Sequence, residues 1–238
     1  MSTFNKAAFL AGTWLKGLPE EVVCETAEVA DILHLKDGSH LFHRGDKPLA
    51  FYGLVAGAIR FTRVNDAGKE MILDVAVPGS FFGEISILGD KGRGYDAQCS
   101  ADTTLLAIPA DDFRLLFETF YDFRWHAIRK VCSRVNHYYD SVEDALLLKL
   151  PARIAKRVVT LALAQGTQHN GDWILDAGLS QENLASMLGI TRQSLSKQLL
   201  EWKEQAWIDI QYGRIVIQNI EALKMIGEGT YDRQKGLA

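Results

Sequence analysis

Short apolar runs separated by frequent turns characterise the chain between residues 37 and 109. Glycine and short polar residues recur every several positions, as in Asp37-Gly38 and Asn65-Asp66-Ala67-Gly68. Runs such as Phe51-Tyr52-Gly53-Leu54-Val55 lie between them. Many short strands with closely spaced turns predict an antiparallel β sandwich, barrel or roll.

Beyond residue 110 the apolar spacing becomes that of a helix. No glycine or proline occurs from Asp111 to Leu150. Six residues in this stretch follow a 3, 4, 3, 4, 3 spacing: Ile128, Val131, Val135, Tyr138, Val142 and Ala145. Such a seam is typical of two helices paired in a coiled coil, although a core helix packed within its own chain is the alternative. We predict a dimerisation helix at about residues 122–149 and a homodimer with this seam near its two-fold axis.

A second set of helices is predicted after the Leu150-Pro151 step. Proline ends one helix and suits the first position of the next, which we expect to run through Ala164. The polar, glycine-bearing segment from Gly166 to Ala177 predicts a short hairpin or loop. In the segment from Ser180 to Leu200, two capped helices flank a tight turn at Gly189, which is the layout of a helix-turn-helix.

The outward face of the second predicted helix carries donors and acceptors suited to DNA. We place Arg192, Gln193, Ser194, Lys197 and Gln198 on this face. Arginine or lysine can read guanine, and glutamine can read adenine. We assign these residues to DNA binding: Ser180, Gln181, Thr191, Arg192, Gln193, Ser194 and Lys197.

Alternating residues follow in Trp207-Ile208-Asp209-Ile210 and Arg214-Ile215-Val216-Ile217, on either side of Gln211-Tyr212-Gly213. This pattern predicts a hairpin and therefore a winged helix-turn-helix.

Composition is that of an ordinary globular protein, with 47% hydrophobic and 24% charged residues among 238. We expect a sensor domain at residues 1–150, a DNA-binding domain at 151–228 and a tail at 229–238. The net charge is −4, but residues 150–238 carry 10 Lys and Arg against 9 Asp and Glu, so the acidity lies in the first part. No apolar stretch is long enough for a membrane span, and we expect a cytoplasmic protein without a membrane partner. We interpret Cys24, Cys99 and Cys132 as buried packing residues.

The chain resembles the cyclic AMP receptor protein and FNR superfamily of bacterial regulators from about residue 30 to 220. The most specific local match is Pro78-Gly79-Ser80-Phe81-Phe82-Gly83-Glu84-Ile85-Ser86-Ile87-Leu88 followed by Arg93, which resembles the phosphate-binding cassette of that family. The resemblance implies an α+β fold: an antiparallel β-roll of the double-stranded β-helix type, a long dimerisation helix and a winged helix-turn-helix.

The resemblance also implies a ligand site. Backbone amides around Gly83 can face an anion, Arg93 can pair with a cyclic phosphate, and Glu84 can accept from a ribose hydroxyl. Arg134 aligns with a family arginine beside the cassette glutamate. The implied ligand-binding residues are Phe82, Gly83, Glu84, Ile85, Ser86, Arg93, Gly94, Arg134, Tyr138 and Tyr139.

Two departures from the family pattern bear on the effector. Gly94 replaces the serine or threonine that usually follows the arginine, and Tyr138-Tyr139 replace small hydroxyl residues. Both argue against cyclic AMP and leave open cyclic GMP, another small ligand, or a cassette that now only holds the roll together. Haem is disfavoured, an iron-sulfur cluster is rejected because Cys24 stands alone near the N-terminus, and no metal site is expected.

The predicted function is that of a ligand-controlled, homodimeric transcription regulator on an inverted-repeat operator, with RNA polymerase as an expected partner. The alternative is a ligand sensor whose C-terminal domain binds only protein. No catalytic constellation or phosphate-transfer loop indicates an enzyme.

Overall fold

The computed structural model describes residues 4–64, 68, 70–175, 180–211 and 214–229. The chain divides into two compact units, residues 1–137 and 138–238. The division falls inside one long helix, α5 (Tyr121–Leu147). We therefore keep the domain boundary at residues 150 and 151 as a prediction.

The first unit contains an antiparallel β-roll with helices before and after it. Its helices, besides the first part of α5, are α1 (Lys6–Gly12), α2 (Glu20–Val29), α3 (Glu84–Leu88) and α4 (Ala110–Thr119). Its strands are β1 (Asp31–Leu35), β2 (His40–Phe42), β3 (Ala50–Ala56), β4 (Ile59–Val64), β5 (Glu70–Ala76), β6 (Phe81–Phe82), β7 (Asp96–Cys99) and β8 (Thr103–Pro109). Among the described residues they form two four-stranded sheets, in the orders β1-β8-β3-β6 and β2-β7-β4-β5.

Strands β3 and β8 are buried on both faces, which explains their nearly continuous apolar sequence. Tyr52 and Leu105 point into the roll, whereas Phe51 and Leu106 face the helices. The helical side of this sheet is covered by α1, α2, α4 and the start of α5, through Leu10, Trp14, Leu15, Val22, Val23, Phe113 and Phe123. Helices α1 and α2 had not been predicted, because they are short and precede the segment that resembles the family.

Helix α5 is continuous over 27 residues. It begins after Phe120, whose extended backbone separates it from α4. Phe123 and Ala127 are its buried residues, near its beginning. A long helix after the roll is thereby confirmed, and its role in dimerisation stays a prediction.

The second unit is a helix-turn-helix domain with a four-stranded sheet. Its helices are α6 (Leu150–Gln165), α7 (Gln181–Met187), α8 (Arg192–Glu204) and α9 (Ile220–Gly227). Its strands are β9 (Thr167–His169), β10 (Asp172–Leu175), β11 (Ile208–Gln211) and β12 (Arg214–Ile217), in the order β11-β12-β10-β9. The first pair of strands lies where a short hairpin or loop was predicted, and the second where a hairpin was predicted. The two pairs join into one sheet through the pairing of β10 with β12. Together with the roll and the long helix, this confirms the predicted α+β fold.

Helix α9, which was not predicted, packs on α6. Leu223 and Ile226 of α9 share a core with Ile154, Val158 and Leu195.

Some expectations are wrong. Cys24 and Cys132 are exposed, and only Cys99 is buried, because the neighbours of Cys24 on α2 form the buried face instead. Gln198 is 8% exposed rather than outward-facing. It lies three residues after Leu195 and four before Trp202, on the inner stripe of α8.

Several predicted turns lie outside the described residues. They are Asn65-Asp66-Ala67, Tyr212-Gly213, the end of the Gly166–Ala177 loop and the tail beyond residue 229. None of the described helices combines the length and apolarity needed to cross a membrane.

Candidate functional site

The cassette is a sharp turn between β6 and α3. Gly83 is the N-cap of α3 and has φ +106°, a backbone conformation that residues with a side chain rarely adopt. A Cβ atom here would lie 2.7 Å from Nη1 of Arg93 and 3.2 Å from the carbonyl oxygen of Ala50. Glycine is therefore required at this position both by conformation and by the arginine packed against it.

Arg93, for which the resemblance implies a contact with a cyclic phosphate, is buried in this structure. Its side chain is 3% exposed, and it donates to the carbonyl oxygens of Gly83 at 3.0 Å and of Ala50 at 2.5 Å. Its guanidinium carbon lies 4.4 Å from the centroid of the Phe42 ring. Burial lowers the pKa of Arg93 from its ordinary value, and Tyr52 and Tyr95 oppose this. In this conformation the side chain joins β3 to the cassette.

Aromatic rings fill the roll next to Arg93. Phe82 packs against Tyr52 and Phe61, with ring centroids 5.6 and 4.9 Å apart. Tyr95 lies 4.9 Å from Phe61 and 5.9 Å from Phe42. These aromatic rings belong to a buried apolar cluster inside the roll.

Glu84 and Arg134 form a partly buried ion pair. Nε of Arg134 lies 2.9 Å from Oε1 of Glu84, whose carboxylate is almost fully enclosed. Neither carboxylate oxygen accepts a well-aligned hydrogen bond from the described residues. Burial therefore raises the pKa of Glu84, and the positive charge of Arg134 only partly offsets that effect. Arg134 also donates to the carbonyl oxygen of Phe81.

The remaining predicted ligand residues are dispersed. Ile85 is 44% exposed, Ser86 is half-buried, and Gly94 is exposed with open space where a Cβ would be. Tyr138 and Tyr139 are exposed and belong to the part of α5 in the second unit. The structure therefore brings Gly83, Glu84, Arg93 and Arg134 together and does not group Ile85 or Gly94 with them.

Helices α7 and α8 are held by caps that the sequence predicted. Ser180 accepts from the backbone amide of Asn183 at 3.1 Å, and Thr191 accepts from that of Ser194 at 3.1 Å. Gly189 adopts φ +67° in the turn between the helices. The apolar spacing also predicts inner faces made of Leu184, Ala185 and Leu188 on α7 and of Leu195 and Leu199 on α8. All of these are buried except Leu188, which is half-buried.

The outer face of α8 is open. Arg192, Gln193, Ser194 and Lys197 are exposed. The side chains of Arg192, Gln193 and Lys197 form no hydrogen bond or ion pair with other described residues. Ser180 and Thr191 are exposed caps, whereas Gln181 is half-buried.

The position of α8 is fixed by polar contacts that were not predicted from the sequence. Ser196 donates to Oε1 of Gln181 at 2.9 Å, which joins α8 to α7. Lys203 pairs with Asp209 of β11 at 2.8 Å. Hydrogen bonds from Lys203 and from Gln211 lower the pKa of Asp209 to about 2. No local sequence pattern predicts these pairs, because the two partners of each pair belong to different elements.

The predicted seam on α5 is only partly covered. Ile128 and Val131 are half-buried, and Ala145 is exposed. Val135, Tyr138 and Val142 are 42%, 55% and 58% exposed. An apolar stripe of this kind on a long helix favours a partner.

Comparison with known families gives two matches in the order of the two units. Residues 32–120 match a cyclic nucleotide-binding domain, and residues 152–226 match a Crp-like helix-turn-helix domain. Within the residues that the structure describes, no group of His, Cys, Asp and Glu has the arrangement of a metal site.

Known proteins with the same layout are transcription regulators. The chain is 24% identical to a CRP-like cAMP-activated global transcriptional regulator of Mycobacterium tuberculosis over 186 residues, which covers 78% of this chain and 83% of that protein. The structure of FixK2 from Bradyrhizobium japonicum matches 83% of this chain and 97% of its own length, with a TM-score of 0.75 and 17% identity.

The c-di-GMP responsive global regulator CLP of Xanthomonas campestris has a TM-score of 0.68 and 16% identity, and covers 84% of this chain and 99% of its own length. At these identities the two structures show the fold alone.

Proposed function

The chain belongs to the cyclic AMP receptor protein and FNR family of transcription regulators, which are not enzymes, and we propose that it acts in the cytoplasm as a homodimer on inverted-repeat DNA. The observation that carries this proposal is the open face of α8. Three donor-bearing side chains, those of Arg192, Gln193 and Lys197, project from a helix whose position is fixed by its own domain. RNA polymerase is the proposed protein partner of the DNA-bound dimer.

The exposed row formed by Arg192, Gln193 and Lys197 suits contacts in the major groove of DNA. Arg192 and Lys197 can donate to O6 and N7 of guanine, and Gln193 can pair with adenine. No acidic residue occurs from Thr191 to Leu200, so the first two turns of α8 carry only positive formal charge. With one such helix in each subunit, the half-sites are inverted repeats with centres about 10 to 10.5 base pairs apart.

Selection from random duplex DNA tests this proposal. Wild-type protein should enrich an inverted repeat, and Arg192→Ala should relax the preference at one position per half-site, with a loss of about 1 to 3 kcal/mol. Lys197→Ala either does the same or, as a phosphate contact, weakens all sequences and lowers the salt slope by about one unit. Lys224→Met, which removes a charge from α9 of the same unit, is the control. Failure to enrich any DNA would favour the alternative of a protein-binding C-terminal domain.

The dimer is tested separately, through the exposed part of the seam. Changing Val135 and Val142 together to aspartate places like charges at the two-fold axis and should give monomers in light scattering. Both positions are solvent-accessible in one subunit, so the fold is retained. Asn136→Asp, which adds a charge beside the seam, should stay dimeric. If the double variant is also dimeric, the seam assignment fails.

For the cassette we propose a structural role in place of cyclic nucleotide binding. A cyclic phosphate would have to displace Arg93 from two buried carbonyl oxygens and enter a roll filled with aromatic rings. The relatives named for cyclic AMP and for c-di-GMP indicate that this fold serves more than one effector. Isothermal titration with cyclic AMP and cyclic GMP should give no heat of binding, and saturable binding of either would overturn this role.

A further inference from the structure

A pocket outside the roll lies between the segment after α1, the cassette and α5. Its volume is about 310 Å³, at the small end of the range for ligand sites. It is lined by Thr13, Trp14, Gly79, Phe81, Lys130, Ser133 and Arg134. Thr13 and Trp14 precede the segment that matches the nucleotide-binding domain.

The aromatic side of the pocket is firmly held. Trp14 is 6% exposed, and its ring lies 4.7 Å from Phe51, 5.1 Å from Phe123 and 5.8 Å from Phe81. Lys6 anchors α1 by donating to the carbonyl oxygen of Ala30 at 2.7 Å. Because this wall is built into the core of the unit, it is in place before a ligand arrives.

The opposite side of the pocket carries positive charge. Lys130 and Arg134 are one helical turn apart on α5, and none of the lining residues is acidic. Arg134 is already paired with Glu84, whereas the side chain of Lys130 makes no hydrogen bond or ion pair with the described part of the chain. The neighbouring His126 is half-buried, and burial and the charge of Lys130 lower its pKa.

We propose that this pocket binds a small organic anion, a carboxylate or phosphate carried on a single flat apolar ring. The anion is held by the ammonium group of Lys130 and the hydroxyl of Ser133, and the ring lies against Trp14 and Phe81. A dinucleotide is too large for this volume. The site is separate from the filled interior of the roll and does not depend on DNA binding.

The location of the pocket provides a route to regulation. Arg134 contacts the pocket and also joins the cassette through Glu84 and the carbonyl oxygen of Phe81. An anion beside Lys130 competes for the charge of Arg134 and biases the contact between α5 and the cassette.

Isothermal titration of the full chain with phenyl phosphate tests the site. Wild type should bind it, and Lys130→Met should lower the affinity about tenfold or more, as expected when a charge-assisted contact is lost. Lys130 is exposed, so its replacement leaves the fold intact. Lys16→Met removes another exposed charge of the first unit that does not line the pocket, and should leave the affinity unchanged.

Two further probes separate the charge from the ring. Benzyl alcohol should not bind, because it lacks the anion, and inorganic phosphate should bind more weakly than phenyl phosphate. No heat with phenyl phosphate, an unchanged affinity of Lys130→Met, or equal binding of either probe would each overturn the proposal. No DNA is present in this titration, so such a result leaves the DNA-binding proposal standing.

Discussion

Arg93 in the first unit and Arg192 in the second stand in opposite environments. Arg93 is 3% exposed and donates to two backbone carbonyl oxygens. Arg192 is exposed at the first turn of α8, and its side chain has no partner within the described residues. The sequence predicts a contact with a cyclic phosphate for Arg93 and a contact with guanine in DNA for Arg192.

The difference between the two arginines shows how burial divides structural from binding roles. A buried guanidinium must satisfy its donors within the protein, because leaving them unpaired away from water is costly. The donors of an exposed guanidinium are hydrogen-bonded to water, and a phosphate or a base edge can replace that water. The same side chain therefore stabilises the cassette in one unit and remains available for DNA in the other.

The largest expected effect is that of Arg93→Met on stability. Two buried carbonyl oxygens lose their donors, and we expect the free energy of unfolding to fall by about 4 kcal/mol. Urea unfolding followed by circular dichroism measures this change, and hydrogen exchange of peptides from residues 50–110 shows that it arises in the first unit. Arg192→Met and Arg114→Met should leave the unfolding midpoint unchanged. An unaltered midpoint for Arg93→Met would contradict the structural role and favour a ligand-binding role for this arginine.

A smaller difference is expected between two glycines with positive φ. Gly83→Ala forces a Cβ against Arg93 and the carbonyl of Ala50, in addition to backbone strain, and should cost about 3 kcal/mol. Gly189→Ala meets nothing within 4 Å and should cost only the strain, about 1 kcal/mol. Equal losses in urea unfolding would show that Arg93 does not constrain the cassette turn.

Thr191→Ala should remove the cap of α8 and lower stability by about 1 kcal/mol. The hydroxyl of Thr191 accepts from the backbone amide of Ser194, and alanine cannot replace it. Thr191→Ser keeps the acceptor and serves as the control. Thermal unfolding of the full chain compares the two variants. Identical transitions would mean that the cap does not set the position of the exposed row.

The pH dependence contributed by Glu84 is the most subtle test. Because burial raises its pKa above the ordinary value of 4.5, the folded protein holds this proton more tightly than the unfolded chain. Its contribution to stability is then fully present below pH 4.5 and is lost as pH rises through the folded pKa. Urea unfolding of wild type and Glu84→Gln across this range should show a fall in wild-type stability relative to the variant. A rise instead would mean that pairing with Arg134 outweighs burial.

The order of elements could be predicted because it rests on local signals. The caps at Ser180 and Thr191 and the break at Pro151 are encoded within a few residues of the elements they delimit. Turn spacing and the helical period then distinguished the roll from α5. The exposed row on α8 followed from the same helical period, apart from Gln198, which lies at the edge of the buried stripe.

The sequence alone determined which residues carry charge at the cassette, but only the tertiary structure decided where those charges point. The contacts that bury Arg93 come from Ala50, 43 residues away, and those of Arg134 come from Phe81 and Glu84 on the cassette. The pocket beside Trp14 likewise needs α1, the cassette and α5 in one place. Local patterns cannot report such contacts, because burial and the dielectric surroundings of a charge depend on residues distant in the chain.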